Sequence, residues 1–367
     1  MEQRNQHPAG RRHFAMFDTF RFFAFLKVFL QHLPIVAFAW FNFARAGGII
    51  GVQFFFVLSG FLITYIIFDE KSRTGTFSLK NFFARRVLRI WPLFYLVVIL
   101  CYATPWLLHL LHAAKMEHGY QPVWWMSALF LENYKMIAEH TVPNEQALAV
   151  TWSLCVEEHF YLLWGLLLWF LPARVFPWVA GIAIAAALVA RTIFFHYHME
   201  LADISTNIHF FAIGAIPAYL LVFHTDKTKR VVSSVGKMGH TLYAVFLLVY
   251  VLLISQADIQ AQIQIWLTCI SAALFAGLIF LSMHDENYLR PSRLLTRLGV
   301  YTYGLYMYHS FVLVFFIRVF TSRHWQLDSP VYATLFAITA LIGTVVISWL
   351  SYKFFEKPFL KMKRLFR

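Results

Sequence analysis

The chain has 367 residues, of which 60% are hydrophobic and only 13% charged, with a mean hydropathy of +0.62 and a formal charge of +13. A soluble globule would carry about 25% charged residues to cover its surface and has no use for 40 Phe and 12 Trp outside a core; the same figures exclude disorder. The expectation is an all-α integral membrane protein, because apolar stretches of about 20 residues suit spanning helices rather than the alternating segments of about 10 residues in an outer-membrane barrel.

Ten spans are predicted, at 22–41, 48–68, 90–111, 151–171, 175–195, 206–223, 240–256, 264–283, 302–320 and 331–352. The first follows a basic Arg11-Arg12 in the manner of a signal peptide, but no small-residue cleavage site comes after it, so it is expected to be retained. Pro172 and Pro177 leave room only for a very tight hairpin between the fourth and fifth. With the N-terminus placed in the cytoplasm, 24 of the 31 Lys and Arg fall in cytoplasmic segments, which predicts N-in and C-in. The positive charge is thereby accounted for, and no nucleic-acid partner is expected. No period of 20–50 residues and no low-complexity tract marks a second domain, so residues 1–367 are read as one membrane domain. The loop 112–150 carries Trp124, Trp125, Glu132, Glu139 and Glu145, as a short interfacial helix would. Cys101, Cys155 and Cys269 lack CxxC spacing, so no metal site is expected and the three are read as packing residues.

Polar groups inside spans are expensive and therefore candidates for function. In the first span Arg21 and His32 stand eleven residues apart, within about 20° of three whole turns, so they share one face at two depths. Arg21 at the boundary suits phosphates and His32 suits proton transfer; a snorkelling Arg with a packing His explains the pair equally well. Arg85, Arg86 and Arg89 open the third span, and Arg86 and Arg89, three apart, face the same way and suit a pyrophosphate, or else simply fix topology. In the fourth span, Trp152, Ser153, Glu157, Glu158 and His159 place two adjacent carboxylates well inside an apolar helix. Adjacent residues point about 100° apart, so at most one of Glu157 and Glu158 faces His32, and a His oriented by a Glu is a usable general base. His309, Lys27 and Gln53 are further intramembrane polar residues, His309 either lining a cavity or packing. Gly47, Gly48, Gly51 and Gly60 are read as close-packing or kink positions, since neither a phosphate-loop nor a GxSxG pattern occurs.

Taken together, FDTFR followed ten residues later by His32, GVQFFFVLSGFLIT, FFARRVLRIWPLFYL, TWSLCVEEHFYLLW, YGLYMYHSFVL and the terminal FEKPF resemble the membrane acyltransferase-3 family. These are bacterial enzymes that O-acylate extracytoplasmic glycans, lipid-linked sugars and some small molecules. The resemblance spans essentially the whole chain, and it implies ten helices with both ends cytoplasmic, an acyl-CoA donor and an acceptor reached from the other face. Carried onto this sequence, Arg21 and His32 match the family's Arg–His pair, Arg86 and Arg89 its paired arginines, and Glu157 its carboxylate. The sequence departs at Gln53, where the family commonly has an acid, and at His159, where Gln is common. Some relatives append an extracytoplasmic hydrolase-like domain, which is expected to be absent here.

The expected mechanism puts the phosphates of acetyl-CoA, or a similar short acyl-CoA, on Arg86 and Arg89 with help from Arg21 and Arg85. His32 acts as base or acyl carrier, and Glu157 or Glu158 orients it. Ser153, Trp152, His309 and Gln53 line the cavity. An acceptor hydroxyl of a cell-envelope glycan, lipid-linked sugar or similar molecule takes the acyl group. Tyr120, Trp124, Trp125 and Tyr134 either stack on sugar rings or anchor at the interface. Two alternatives stand beside this reading. One is a proton-coupled transporter using His32, Glu157 and His309 as a relay, and the other is a non-catalytic scaffold.

Overall fold

The computed structural model describes residues 13–110, 122–140, 146–256, 261–284 and 292–366, and among them all regular structure is helical. Arg4, Arg11, Arg12, Lys115, Tyr120, Glu145, Arg290 and Arg367 lie outside the described residues. In chain order the helices begin with α1 (Ala15–His32), α2 (Ala39–Arg45), α3 (Ile49–Thr74), α4 (Leu79–Leu110), α5 (Trp124–Ala128) and α6 (Glu132–Glu139). They continue with α7 (Gln146–Ala149), α8 (Thr151–Phe170), α9 (Phe176–His196), α10 (Ile204–Phe223), α11 (Thr225–Ile254) and α12 (Ala261–Ser282). The last are α13 (Arg293–Val300), α14 (Thr302–Ser322), α15 (Pro330–Ser351), a π turn (Tyr352–Glu356), α16 (Lys357–Met362) and a 3-10 turn (Lys363–Phe366).

Eight helical stretches among the described residues are long and apolar enough to cross a membrane, which makes this an integral membrane protein. At the predicted first and fourth spans stand α1 and α8, whose apolar runs are interrupted by Asp18, Arg21 and Lys27, and by Glu157, Glu158 and His159. The first predicted span, 22–41, is corrected. Pro34 disfavours a helical conformation for the residue before it, Leu33 turns extended, and the helix stops at His32. The tight hairpin after the fourth span is a 3-10 turn, Ala173–Val175, entered through Pro172. Predicted span 240–256 is the second half of α11, whose two halves are divided by Gly236 at φ 64°, a conformation that glycine adopts without penalty.

The bundle centres on α3, which packs along α10 through two reciprocal glycines. A Cβ on Gly60 would lie 2.0 Å from the Phe211 carbonyl oxygen, and one on Gly214 2.0 Å from that of Val57. Small residues bring helix backbones together where lipid supplies no hydrophobic drive. Phenylalanines fill the space around this crossing: Phe211 stacks on Phe56 and Phe160 at 4.7 and 4.0 Å between centroids. Beside them the buried Trp164 donates its indole N–H to Thr64 at 2.8 Å. Gly299 repeats the device between α13 and α1, where a Cβ would meet the Asp18 carbonyl oxygen at 1.8 Å. By contrast α9 and α11 show outward faces of Trp178, Ile182, Val189, Leu242, Phe246 and Val249, as lipid-facing helices do.

Two short helices, α5 and α6, occupy the predicted interfacial position, and Trp124 is 71% exposed there. Glu132 is nonetheless buried and accepts a hydrogen bond from Ser127, so this segment packs as a cap rather than lying loose. At the opposite, basic end of the bundle, the start of α4 meets the chain after α15. There the Arg85 guanidinium donates to the Phe366 carbonyl at 2.6 Å and to Glu70 at 3.3 Å.

Candidate active site

A cavity of about 490 Å³ opens at the basic end between α1, α3, α4, α8, α14 and the C-terminal segment. Its size is ordinary for a ligand site. Each helix contributes one face. From α1, Phe17, Asp18 and Arg21 stand on a single stripe, with Phe14 just before the helix. From α8, Ser153, Glu157 and Tyr161 stand four residues apart. The α3 wall is mostly apolar, with Ser59 its polar exception, and α4 supplies Arg86 and Arg89. The π turn after α15 brings in Tyr352 and Glu356, and the 3-10 turn brings in Lys363. Such a turn within a helical run is often found at a functional position.

The polar groups of the cavity are mutually ordered. Arg21 donates to Asp18 at 2.5 Å, and His13 bonds the other oxygen of that carboxylate at 3.0 Å. Glu157 accepts from the Ser59 hydroxyl at 3.1 Å and from the Tyr161 phenol at 2.9 Å, with the charges of Arg21 and Arg86 acting on it. Arg86 lies 5.8 Å from the ring centroids of both Phe82 and Tyr161, a cation–π distance. Glu356 accepts from Ser351 at 3.2 Å. Cations therefore gather toward the mouth, and hydroxyls and Glu157 farther in.

From the cavity wall, polar contacts continue toward His32. Ser153 and the Tyr306 phenol are 2.7 Å apart, and Tyr306 also donates to the Val150 carbonyl at 3.2 Å. One turn along α14 the buried His309 meets His32 edge-to-face, with ring centroids 5.0 Å apart. Each imidazole is fixed through Nδ1: His32 donates to the Val28 carbonyl at 2.8 Å and His309 to the Tyr306 carbonyl at 2.7 Å. That tautomer leaves a lone pair on each Nε2. For His309, the Ser310 hydroxyl is 3.4 Å from it.

Several expectations are corrected. The carboxylate expected to orient His32 does not do so; the backbone carbonyl of Val28 holds the ring. The reason is depth. His32 ends α1 because of Pro34, whereas Glu157 sits about 9 Å into α8 at 1.5 Å per residue. Glu158 points away from the cavity toward α4, accepting from the Trp91 indole at 3.2 Å. Arg85 does not line the cavity either, since it straps the C-terminal segment. Trp152 packs edge-to-face on Phe56, and neither it, Gln53 nor His309 is among the lining residues. Lys27 bonds the Ala44 carbonyl at 3.0 Å, tying α1 to α2. His159 stacks on Tyr134 at 5.4 Å. Burial first, and Asp203 beside it, push the Tyr134 phenol up to about 12.

The structure does bring Arg21, Arg86, Arg89, Ser153 and Glu157 into one cavity, and pairs His32 with His309. Sequence reasoning overlooked Asp18, Ser59, Tyr161, Tyr306, Glu356 and Lys363. Two of these carried a readable signal: Tyr161 is four residues after Glu157, and Tyr306 three before His309.

Residues 14–352 match the family model described as the acyltransferase domain, and the chain belongs to the acyltransferase-3 family. It is similar to the O-acetyltransferase OatA of Staphylococcus aureus (strain NCTC 8325 / PS 47), with 26% identity over 94% of this chain and 57% of that protein. It is also 26% identical, over 98% of its length and 56% of the other's, to the "Putative peptidoglycan O-acetyltransferase YrhL" of Bacillus subtilis (strain 168). The chain thus spans a little over half the length of these relatives. No solved structure matches it.

Proposed function

We propose that this single membrane domain is an O-acyltransferase. It takes an acetyl or similarly short acyl group from acyl-CoA at its basic end and passes it to a hydroxyl of a cell-envelope glycan or related acceptor at the other. The observation that carries this reading is the polar sequence itself. Cations sit at the cavity mouth, Glu157 with its hydroxyl partners farther in, and the His32–His309 pair beyond. The names of the O-acetyltransferase relatives support it. By the positive-inside rule the basic end faces the cytoplasm of the inner membrane, with N-in, C-in and ten crossings once α1 and α8 are counted.

In this mechanism Arg86 and Arg89, with Arg21, bind the donor phosphates, and the thioester reaches past Ser153 and Tyr306 toward His32. The lone pair on His32 Nε2 takes the proton of the acceptor hydroxyl, whose oxygen bonds the acyl carbon as the carbon–sulfur bond breaks. The CoA sulfur leaves with the electron pair and is protonated to the free thiol. The Val28 carbonyl holds the tautomer that this requires. Enclosure by apolar helices limits competing hydrolysis of the thioester.

The test is CoA release by purified protein in liposomes, with and without an extract of envelope glycans. Release that His32→Ala abolishes, with expression and monodispersity intact, is the expected result. Wild-type turnover in His32→Ala removes the histidine from the mechanism. Solute flux without thioester consumption would replace the enzyme by a proton-coupled transporter using the same residues.

A further inference from the structure

The C-terminal segment carries Lys353, Lys357, Lys361, Lys363 and Arg364. Four of them are exposed, as topology determinants usually are, whereas Lys363 is half-buried and lines the cavity. It does so in the electrostatic range of Arg89 and Arg86. Among the described residues neither Lys363 nor Arg89 makes an ion pair or a side-chain hydrogen bond. Burial first, and then Arg89, Arg86 and Arg85 beside it, push the Lys363 ammonium down to about 6, so an anion arriving from outside would restore its charge, while Glu356 is the acid whose charge acts on Arg89 in this wall. The placement also has a structural cause. Arg85 donates to the Phe366 carbonyl at 2.6 Å and so fixes the 3-10 turn on which Lys363 stands.

We propose that Lys363 is an anion-binding residue of the donor site, acting with Arg89 on the phosphate groups of the acyl carrier, and that Arg85 positions it through the Phe366 carbonyl. The proposal rests on the donor reading above and extends it, since it makes the segment after α15 a wall of the donor site. Arg85 thereby acquires a role that does not require contact with the donor.

The experiment is calorimetric titration of CoA into the purified full-length chain in nanodiscs, for wild type, Lys363→Gln, Lys363→Arg and Lys361→Gln. Loss of one charge-assisted hydrogen bond is expected to weaken CoA binding about tenfold or more in Lys363→Gln. Lys363→Arg is expected to retain binding, and the exposed Lys361→Gln to match wild type. If wild type binds CoA and Lys363→Gln binds it equally, the inference falls and the donor reading stands. If Lys361→Gln loses as much as Lys363→Gln, CoA senses bulk charge and the specific role is overturned. If wild type does not bind CoA, the donor reading fails and this inference with it.

Discussion

The reciprocal contact of Gly60 and Gly214 makes a quantitative prediction that joins packing to the site. A carbon–oxygen contact is comfortable at about 3.3 Å, and an alanine methyl at either glycine would start 2.0 Å from the facing carbonyl oxygen. One methyl must therefore drive α3 and α10 roughly 1.3 Å apart along that line. Overpacking of this kind costs about 1–3 kcal/mol, and the separated surfaces lose dispersion contacts that lipid cannot restore in so narrow a gap. Since a single displacement relieves both clashes, Gly60→Ala combined with Gly214→Ala is expected to cost clearly less than the two singles added together. Ser59 precedes Gly60 and donates to Glu157 at 3.1 Å, a bond that does not survive a shift of an ångström. Thermal unfolding of purified protein in detergent, read by fluorescence size-exclusion, should place each single variant several degrees below wild type, with CoA turnover falling in parallel. Wild-type midpoints in both singles, or strict additivity in the double, would refute the close-approach argument.

Two further predictions separate neighbouring residues. Glu157→Gln, which takes the charge from the acceptor of Ser59 and Tyr161 inside the cavity, is expected to lower turnover more than Glu158→Gln, which faces Trp91 instead of the cavity; equal losses measured as kcat in liposomes would contradict the assignment of faces. Tyr306→Phe removes the hydroxyl that joins Ser153 to the His309 turn at a stability cost of about 1 kcal/mol. It should lower kcat while CoA affinity by titration stays at wild type, and an unchanged kcat would show that the route to His32 does not pass this phenol.

How much of this was legible beforehand follows from the range of the forces involved. Hydropathy located the apolar stretches, because a spanning segment is set by local composition: predicted spans 151–171, 175–195 and 302–320 became α8, α9 and α14, whereas α4 and α11 begin well before the predicted starts at 90 and 240, in polar turns that hydropathy does not register. The first span was misjudged where a single proline outweighed the apolar run around it. At the site, helical spacing correctly put Arg86 and Arg89 on one face, since that is a property of one helix. The Glu157–His32 pairing required the relative depth of two helices, which is set by packing through other elements, as where Gly51 and Gly299 meet α1, and is invisible in either segment alone. Arg85 belonged visibly to the right run of residues, but its partner, the Phe366 carbonyl, lies 281 residues away.

The ion pairs already present bear on the order in which the donor is captured. Arg21 is committed to Asp18, and Arg86 stands between aromatic faces within reach of the Glu157 charge. An entering diphosphate would have to compete with those carboxylates for Arg21 and Arg86, and pay in desolvation for each partner it displaced. Arg89 and Lys363 stand at the mouth with no carboxylate directly bonded, Arg89 within the field of Glu356 and Lys363 gaining its charge as the phosphates approach. First contact through these two, followed by exchange onto Arg86 as the carrier moves inward, requires no step in which a buried cation or carboxylate is left without a counter-charge. The order has a kinetic signature. Neutralising Arg89 or Lys363 should slow CoA association and flatten its dependence on ionic strength, whereas neutralising Arg86 should chiefly speed dissociation. If all three variants change only the dissociation rate, the two mouth cations do not act first.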